Sequence, residues 1–182
     1  MREMANVNLF DTFAEDLLEE RNARSLIIVG ASKVDNLLLQ ILNAYLLPKR
    51  AKAKEPDELL DGDRPLGAFS ARIKMCYRLG LIEETLCHVL EKLRQLRNPS
   101  AHSVAFDIMK SPTREHLADL CNSVTKRNSF RHTRECYFHS TPLNNIEELQ
   151  CVLLTLCVLL EAIRKKTSTT RGSKTALRIA NR

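Results

Sequence analysis

The sequence predicts an all-α fold, a compact bundle of about five to seven helices. Leucine dominates and glycine is scarce. β-Branched residues seldom cluster, which disfavours strands. Apolar residues recur at helical spacing along most of the chain. A chain of 182 residues suits one domain with a tail and can bury a core without staples. The bundle is assigned to residues 1–166 and a basic, disordered tail to 167–182.

In chain order, residues 8–22 carry Leu9, Phe10, Phe13, Leu17 and Leu18 at helical spacing with acids opposite. A second helix is expected over about 24–47, its apolar face formed by Leu26, Ile27, Val34, Leu37, Leu38, Ile41, Leu42 and Leu46, with Pro48 ending it. The breadth of that face predicts a central helix with several neighbours. Residues 48–64 read as a surface loop: a basic run of Lys49, Arg50, Lys52 and Lys54, then the acids Asp57, Glu58, Asp61 and Asp63, with one helical turn around Asp57–Leu60. Asp61-Gly62-Asp63 is expected to be a turn and not a metal-ligand pair, because no further acid completes an oxygen cage.

A third helix is expected over 68–79, with Phe69, Ile73, Cys76 and Tyr77 inward and Gly80 ending it. Glu83 and Glu84 open a fourth, where carboxylates suit the N-terminal dipole; Leu86, Val89, Leu90, Leu93 and Leu96 form its stripe. Arg97, four residues after Leu93, projects near that stripe. Asn98 before Pro99 is the expected cap of a fresh helical turn, which sets His102 about one turn above Arg97. Ser111-Pro112 starts a further helix by the same logic, with Leu117, Leu120, Cys121 and Val124 inward. In residues 125–142, cations alternate with Phe130, Tyr137 and Phe138, and a last helix runs from about Asn145 to Lys166.

The net charge of +6 is unevenly placed. Residues 164–182 hold seven cations (Arg164, Lys165, Lys166, Arg171, Lys174, Arg178 and Arg182) and no acid, so removing those seven charges leaves residues 1–163 at −1. The basic end reads as a solvated tail, with loose phosphate binding as the alternative. None of the six cysteines forms a Cys-x-x-Cys pair, and several lie in apolar helical segments. With acids throughout residues 11–20 and no signal peptide, the expected setting is a reducing cytoplasm without disulfides. The apolar run Leu149–Ile163 is too short to span a bilayer comfortably and holds Glu161, so no membrane association is expected.

Two stretches carry a family resemblance. Leu59-Leu60-Asp61-Gly62-Asp63-Arg64-Pro65-Leu66-Gly67-Ala68-Phe69-Ser70-Ala71-Arg72-Ile73-Lys74, followed by Tyr77, Leu79, Gly80, Leu81 and Ile82, resembles the signature of the mannitol operon repressor (MltR) family. Leu93-Arg94-Gln95-Leu96-Arg97-Asn98, continuing to Ala101-His102, resembles the Arg-(Asn/Asp)-x-x-x-His motif of the HEPN superfamily. Together they imply an all-helical bundle, a homodimer, and one of two functions. One is a transcriptional or stress regulator acting through protein or RNA contacts. The other is a metal-independent endoribonuclease of toxin or anti-phage type.

In the second case the resemblance makes His102 the general acid/base, Arg97 the holder of the scissile phosphate, and Asn98 the residue that orients either. The RNA 2′-OH would attack its own phosphate, leaving a cyclic phosphate. Pro99, directly after Asn98, departs from the uninterrupted helix of many relatives. The bland alternative for Arg97 and His102 is structural, through a buried carboxylate or backbone carbonyls.

Arg72 and Arg94, with Lys126, Arg127, Arg131 and Arg134 interleaved with aromatics, are the candidate nucleic-acid contacts. For Arg72 a solvated helix edge is the favoured reading, and for residues 126–138 an amphipathic cover of the bundle competes. His132, Cys136 and His139 share one face if helical, with Cys121 a conceivable fourth ligand, but chance spacing is the favoured account, so no metal or cofactor is expected. Neither a helix-turn-helix nor a zinc finger is recognisable. The expected partners are a second copy, RNA, and a protein partner or antitoxin.

Overall fold

The structure is a computed structural model that describes residues 2–49, 55–103, 106–108, 110–139 and 142–167, residues 2–10 by backbone alone. Among the described residues it contains seven helices and no strand: α1 (Arg2–Glu19), α2 (Ala23–Tyr45), α3 (Phe69–Arg78), α4 (Glu84–His102), α5 (Thr113–Thr125), α6 (Asn128–Tyr137) and α7 (Asn145–Lys166). The all-α expectation holds. The side chains of Leu9 and Phe10, the basic run 50–54 and tail residues 168–182 lie outside the described residues.

Two helices form the centre. α2 buries Leu26, Ile27, Val34, Leu38, Ile41 and Leu42 completely against α3, α4 and α7. α7 is buried on nearly every side from Leu149 to Cys157. They run in the same direction: Ala23 faces Asn145 and Ile146 across one cavity, and Gly30 meets Leu153. Their approach is close enough that a Cβ on Gly30 would fall 2.7 Å from Leu153 Cδ2. By length and composition α2 could cross a bilayer, yet half of its most apolar stretch is spent on neighbouring helices. It stops at Tyr45, earlier than expected, because Leu47 precedes Pro48 and is pushed away from helical backbone.

The helix ends are chemically closed. The Asn22 side chain accepts from the Arg24 and Ser25 amides at 2.9 and 3.1 Å and starts α2. Asn144 and Glu147 form a reciprocal capping box at the start of α7. Gly80 adopts φ +69°, and the Gly80 and Leu81 amides donate to Tyr77 and Cys76 carbonyls at 2.9 Å each, a Schellman stop that turns the chain from α3 toward α4. α1 is tied to α7 by Gln150, whose buried Nε2 donates to the carbonyls of Leu17, Leu18 and Glu20 at 2.9–3.0 Å.

Pro99 corrects one expectation. No fresh turn begins there; α4 continues through it to His102. Proline lacks the amide that would reach Gln95, so one rung is absent. The turn is held by Ser100 Oγ donating to Leu96 O at 2.7 Å and the Ser103 amide to Pro99 O at 2.9 Å. Pro112 likewise occupies the cap position of α5, one residue before its first turn.

Two outcomes are expected. Gly30→Val should destabilise the fold by about 1–3 kcal/mol in urea unfolding followed by circular dichroism, through overpacking against Leu153. Burial pushes the Cys76, Cys121, Cys151 and Cys157 thiols up to about 12 from an ordinary 9.0. Burial therefore favours the neutral thiol in the fold. Stability from these groups is complete below about pH 9 and falls as pH rises from there toward 12. Iodoacetamide at pH 8 should label exposed Cys136 in the native protein and reach these four thiols only on unfolding.

Candidate functional site

The two motif stretches meet at one cleft of about 410 Å³. Its wall combines Ala31, Ser32 and Asp35 of α2, residues 67–70 at the start of α3, and Arg94, Arg97 and Asn98 of α4. The loop before α3 is built to hold this wall in place. Asp57 Oδ1 accepts the amides of Leu59 and Leu60 at 2.8 and 3.0 Å, and Asp61 Oδ2 accepts the Asp57 amide at 2.6 Å. These carboxylates therefore make the expected turn. Gly62 has φ +52°, and its carbonyl oxygen lies 1.8 Å from where a Cβ on Gly67 would sit, so only glycine fits at 67. Leu60 and Leu66 anchor the loop in the core.

Arg72 fastens the whole arrangement. Its guanidinium donates to Asp35 Oδ1 at 2.8 Å, Leu66 O at 2.9 Å and Leu60 O at 3.2 Å, and the residue is 8% exposed. This corrects both expectations for Arg72. It is neither a solvated edge nor a cation offered to nucleic acid, because its charge is matched by Asp35 and its donors by loop carbonyls. On the same helix, Tyr77 was expected inward but is 38% exposed, the inward place beside Ile73 and Cys76 being held by Arg72.

Arg97 and Asn98 both line the cleft; His102 does not and is exposed. On an unbroken helix positions 97 and 102 point about 140° apart. Among the described residues, half-buried Arg97 makes no hydrogen bond or ion pair. Arg94 also lines the cleft, its Nε bonded to Glu91 Oε2 at 2.7 Å. Glu91 Oε1 is buried and lacks a partner among the described residues.

The other candidate cations lie apart from this wall. Lys126 is exposed, Arg131 bonds Asn128 on its own helix at 3.1 Å, Arg134 is half-buried, and Arg127 pairs with Glu83 at 3.0 Å. The Glu83 carboxyl is lowered by hydrogen bonds from Thr85 and Arg127. Phe130 is buried and Tyr137 and Phe138 pack on the core, the covering role set against base stacking above. His132 and Cys136 share a face of α6 at 3.9 Å, but α6 ends at Tyr137, and among the described residues no three His, Cys, Asp or Glu side chains gather to hold a metal.

Asp35, Ser32 and Ser70 were missed by sequence reasoning. A signal existed for Asp35: it is the sole acid in residues 21–54, set in an apolar helix where a carboxylate needs a partner.

The chain matches no protein-family model and no curated protein sequence. Two solved structures are similar to it. One is MtlR in the MtlR–HPr complex from Escherichia coli, at 20% identity and TM-score 0.56, covering 85% of this chain and 98% of that one. The other is YggD from Shigella flexneri 2a, described as a possible transcriptional regulator, at 15% identity and TM-score 0.56, covering 87% of this chain and 96% of that one. The fold is thus the MtlR-like helical bundle.

Replacing Arg72 with Met should strand Asp35 and two loop carbonyls. We expect a loss of about 2–4 kcal/mol, moderated by the partial exposure of Asp35, and faster limited proteolysis within residues 57–67 by mass spectrometry.

Proposed function

We propose that this chain is a regulatory protein of the MtlR kind, a homodimer in a reducing cytoplasm that acts by binding a partner protein. The observation that carries this reading is the extent of the likeness: the chain superposes on 98% of an MtlR chain whose structure was determined bound to HPr. The rigid loop and its neutralised Arg72–Asp35 pair support it, since a preformed surface binds with little ordering cost.

One observation favours a second reading, the metal-independent endoribonuclease. Arg97 has no partner among the described residues and Asn98 stands beside it, with exposed His102 further along the same helix. There His102 would accept the 2′-OH proton as that oxygen attacks phosphorus, and a protonated imidazole would return a proton to the departing 5′ oxygen.

A single comparison separates the two. Purified chain is mixed with HPr from its own organism and followed by size-exclusion chromatography with light scattering. Wild type and His102→Ala are then incubated with mixed-sequence RNA in EDTA. We expect a complex with HPr and intact RNA in both incubations. No complex, together with cyclic-phosphate ends from wild type alone, would replace the regulator with the ribonuclease.

A further inference from the structure

We infer that the cleft between α2, α3 and α4 is a binding site for a small phosphate monoester, with Arg97 as its principal anchor. The assignment goes beyond partner binding and stands or falls separately from it.

Charge comes first. Three charged side chains line the cleft, Arg94, Arg97 and Asp35, and the single acid is already matched by Arg72 at 2.8 Å. Among the described residues Arg97 has no hydrogen-bond or ion-pair partner, whereas the Arg94 charge is matched by Glu91 at 2.7 Å, so Arg97 is the uncompensated cation of the wall. An Arg fork is the side chain best shaped for two oxygens of a phosphoryl group.

Donors that are already fixed in position come second. α3 starts at the cleft with Ala68 as a cap that offers no side-chain acceptor. The Ala71 and Arg72 amides both reach Ala68 O, whereas those of Phe69 and Ser70, two residues of the cleft wall, have no backbone partner among the described residues. Four elements of fixed geometry, the Arg72 clasp, the Leu66–Leu59 bond at 2.7 Å, the Gly67–Arg64 bond at 2.8 Å and the Gly62–Gly67 contact, hold that helix end where it is. An anion there gains the dipole without any ordering of the loop.

Size and lining come third. About 410 Å³ lies within the range of small-molecule sites and exceeds what a bare phosphate fills. The remaining wall sets small residues and Phe69 beside the polar side chains of Ser32, Ser70 and Asn98. Asn98 offers an amide, and Ser32, whose proton goes to Ile28 O at 2.8 Å, offers an acceptor. These polar groups suit a short hydroxylated group attached to the phosphate.

The test is isothermal titration calorimetry of the full chain with inorganic phosphate, glycerol 3-phosphate and uncharged glycerol. The proteins are wild type, Arg97→Gln, Asn98→Asp and Arg78→Gln, the last an exposed cation at the far end of α3. Circular dichroism confirms that each is folded. We expect saturable binding of both phosphates and none of glycerol. Affinity should fall about tenfold or more in Arg97→Gln, from loss of a charge-assisted contact, and in Asn98→Asp, which sets a carboxylate in an otherwise unchanged wall. Arg78→Gln should match wild type. If Arg97→Gln does not fold, Asn98→Asp decides. Absence of saturable binding, equal binding by wild type and Arg97→Gln, or displacement of phosphate by single-stranded RNA but not by glycerol 3-phosphate would each overturn the assignment. Each of these is read without HPr, so failure here leaves the partner-binding result as it was measured.

Discussion

The contact on which the site depends is the Arg72–Asp35 ion pair. It joins α2 to α3 and, through Leu60 and Leu66, fixes the loop between them. Its value is not raw stability, since a largely buried ion pair roughly cancels its own desolvation cost. Its value is directional. A guanidinium has donors in one plane, and here they are spread over three acceptors from separate parts of the chain. Only one placement of the loop satisfies all three. That placement sets the first turn of α3 opposite Arg97 on α4.

Much of the bundle was legible in the sequence, because leucine spacing reports a buried face directly. α2, α5 and α7 appear close to their expected limits, with Leu120, Cys121 and Val124 inward as the spacing implied. What spacing could not show was a polar group with a buried partner. Arg72 sits at a position an apolar residue would hold, and hydrophobic periodicity counts it as surface. Gln150 is 1% exposed for the same reason: its acceptors lie 130 to 133 residues earlier, at the end of α1. Pro99 misled in the other direction. A local rule favours a new helix start, but the buried stripe of α4 and Ser100 carried the helix through.

The site was half legible. Arg97 and Asn98, singled out for their chemistry, share a cleft, whereas His102, grouped with them by motif, lies outside its wall. The other half came from α2 and from backbone amides at the start of α3, and no side-chain pattern announces free amides. The resemblance to the MltR signature marked the loop as important without saying why. The structure supplies a reason: Gly67 admits no side chain, and Arg72 has three acceptors.

The capping of α1 by Gln150 has an arithmetic of its own. An amide nitrogen carries two protons, yet three carbonyls lie within 3.0 Å of it. At any instant one of them goes short. The end of α1 is therefore held by a shared set of bonds, in which both amide protons stay engaged while the acceptors exchange, and one side chain ties α1 to the flank of α7.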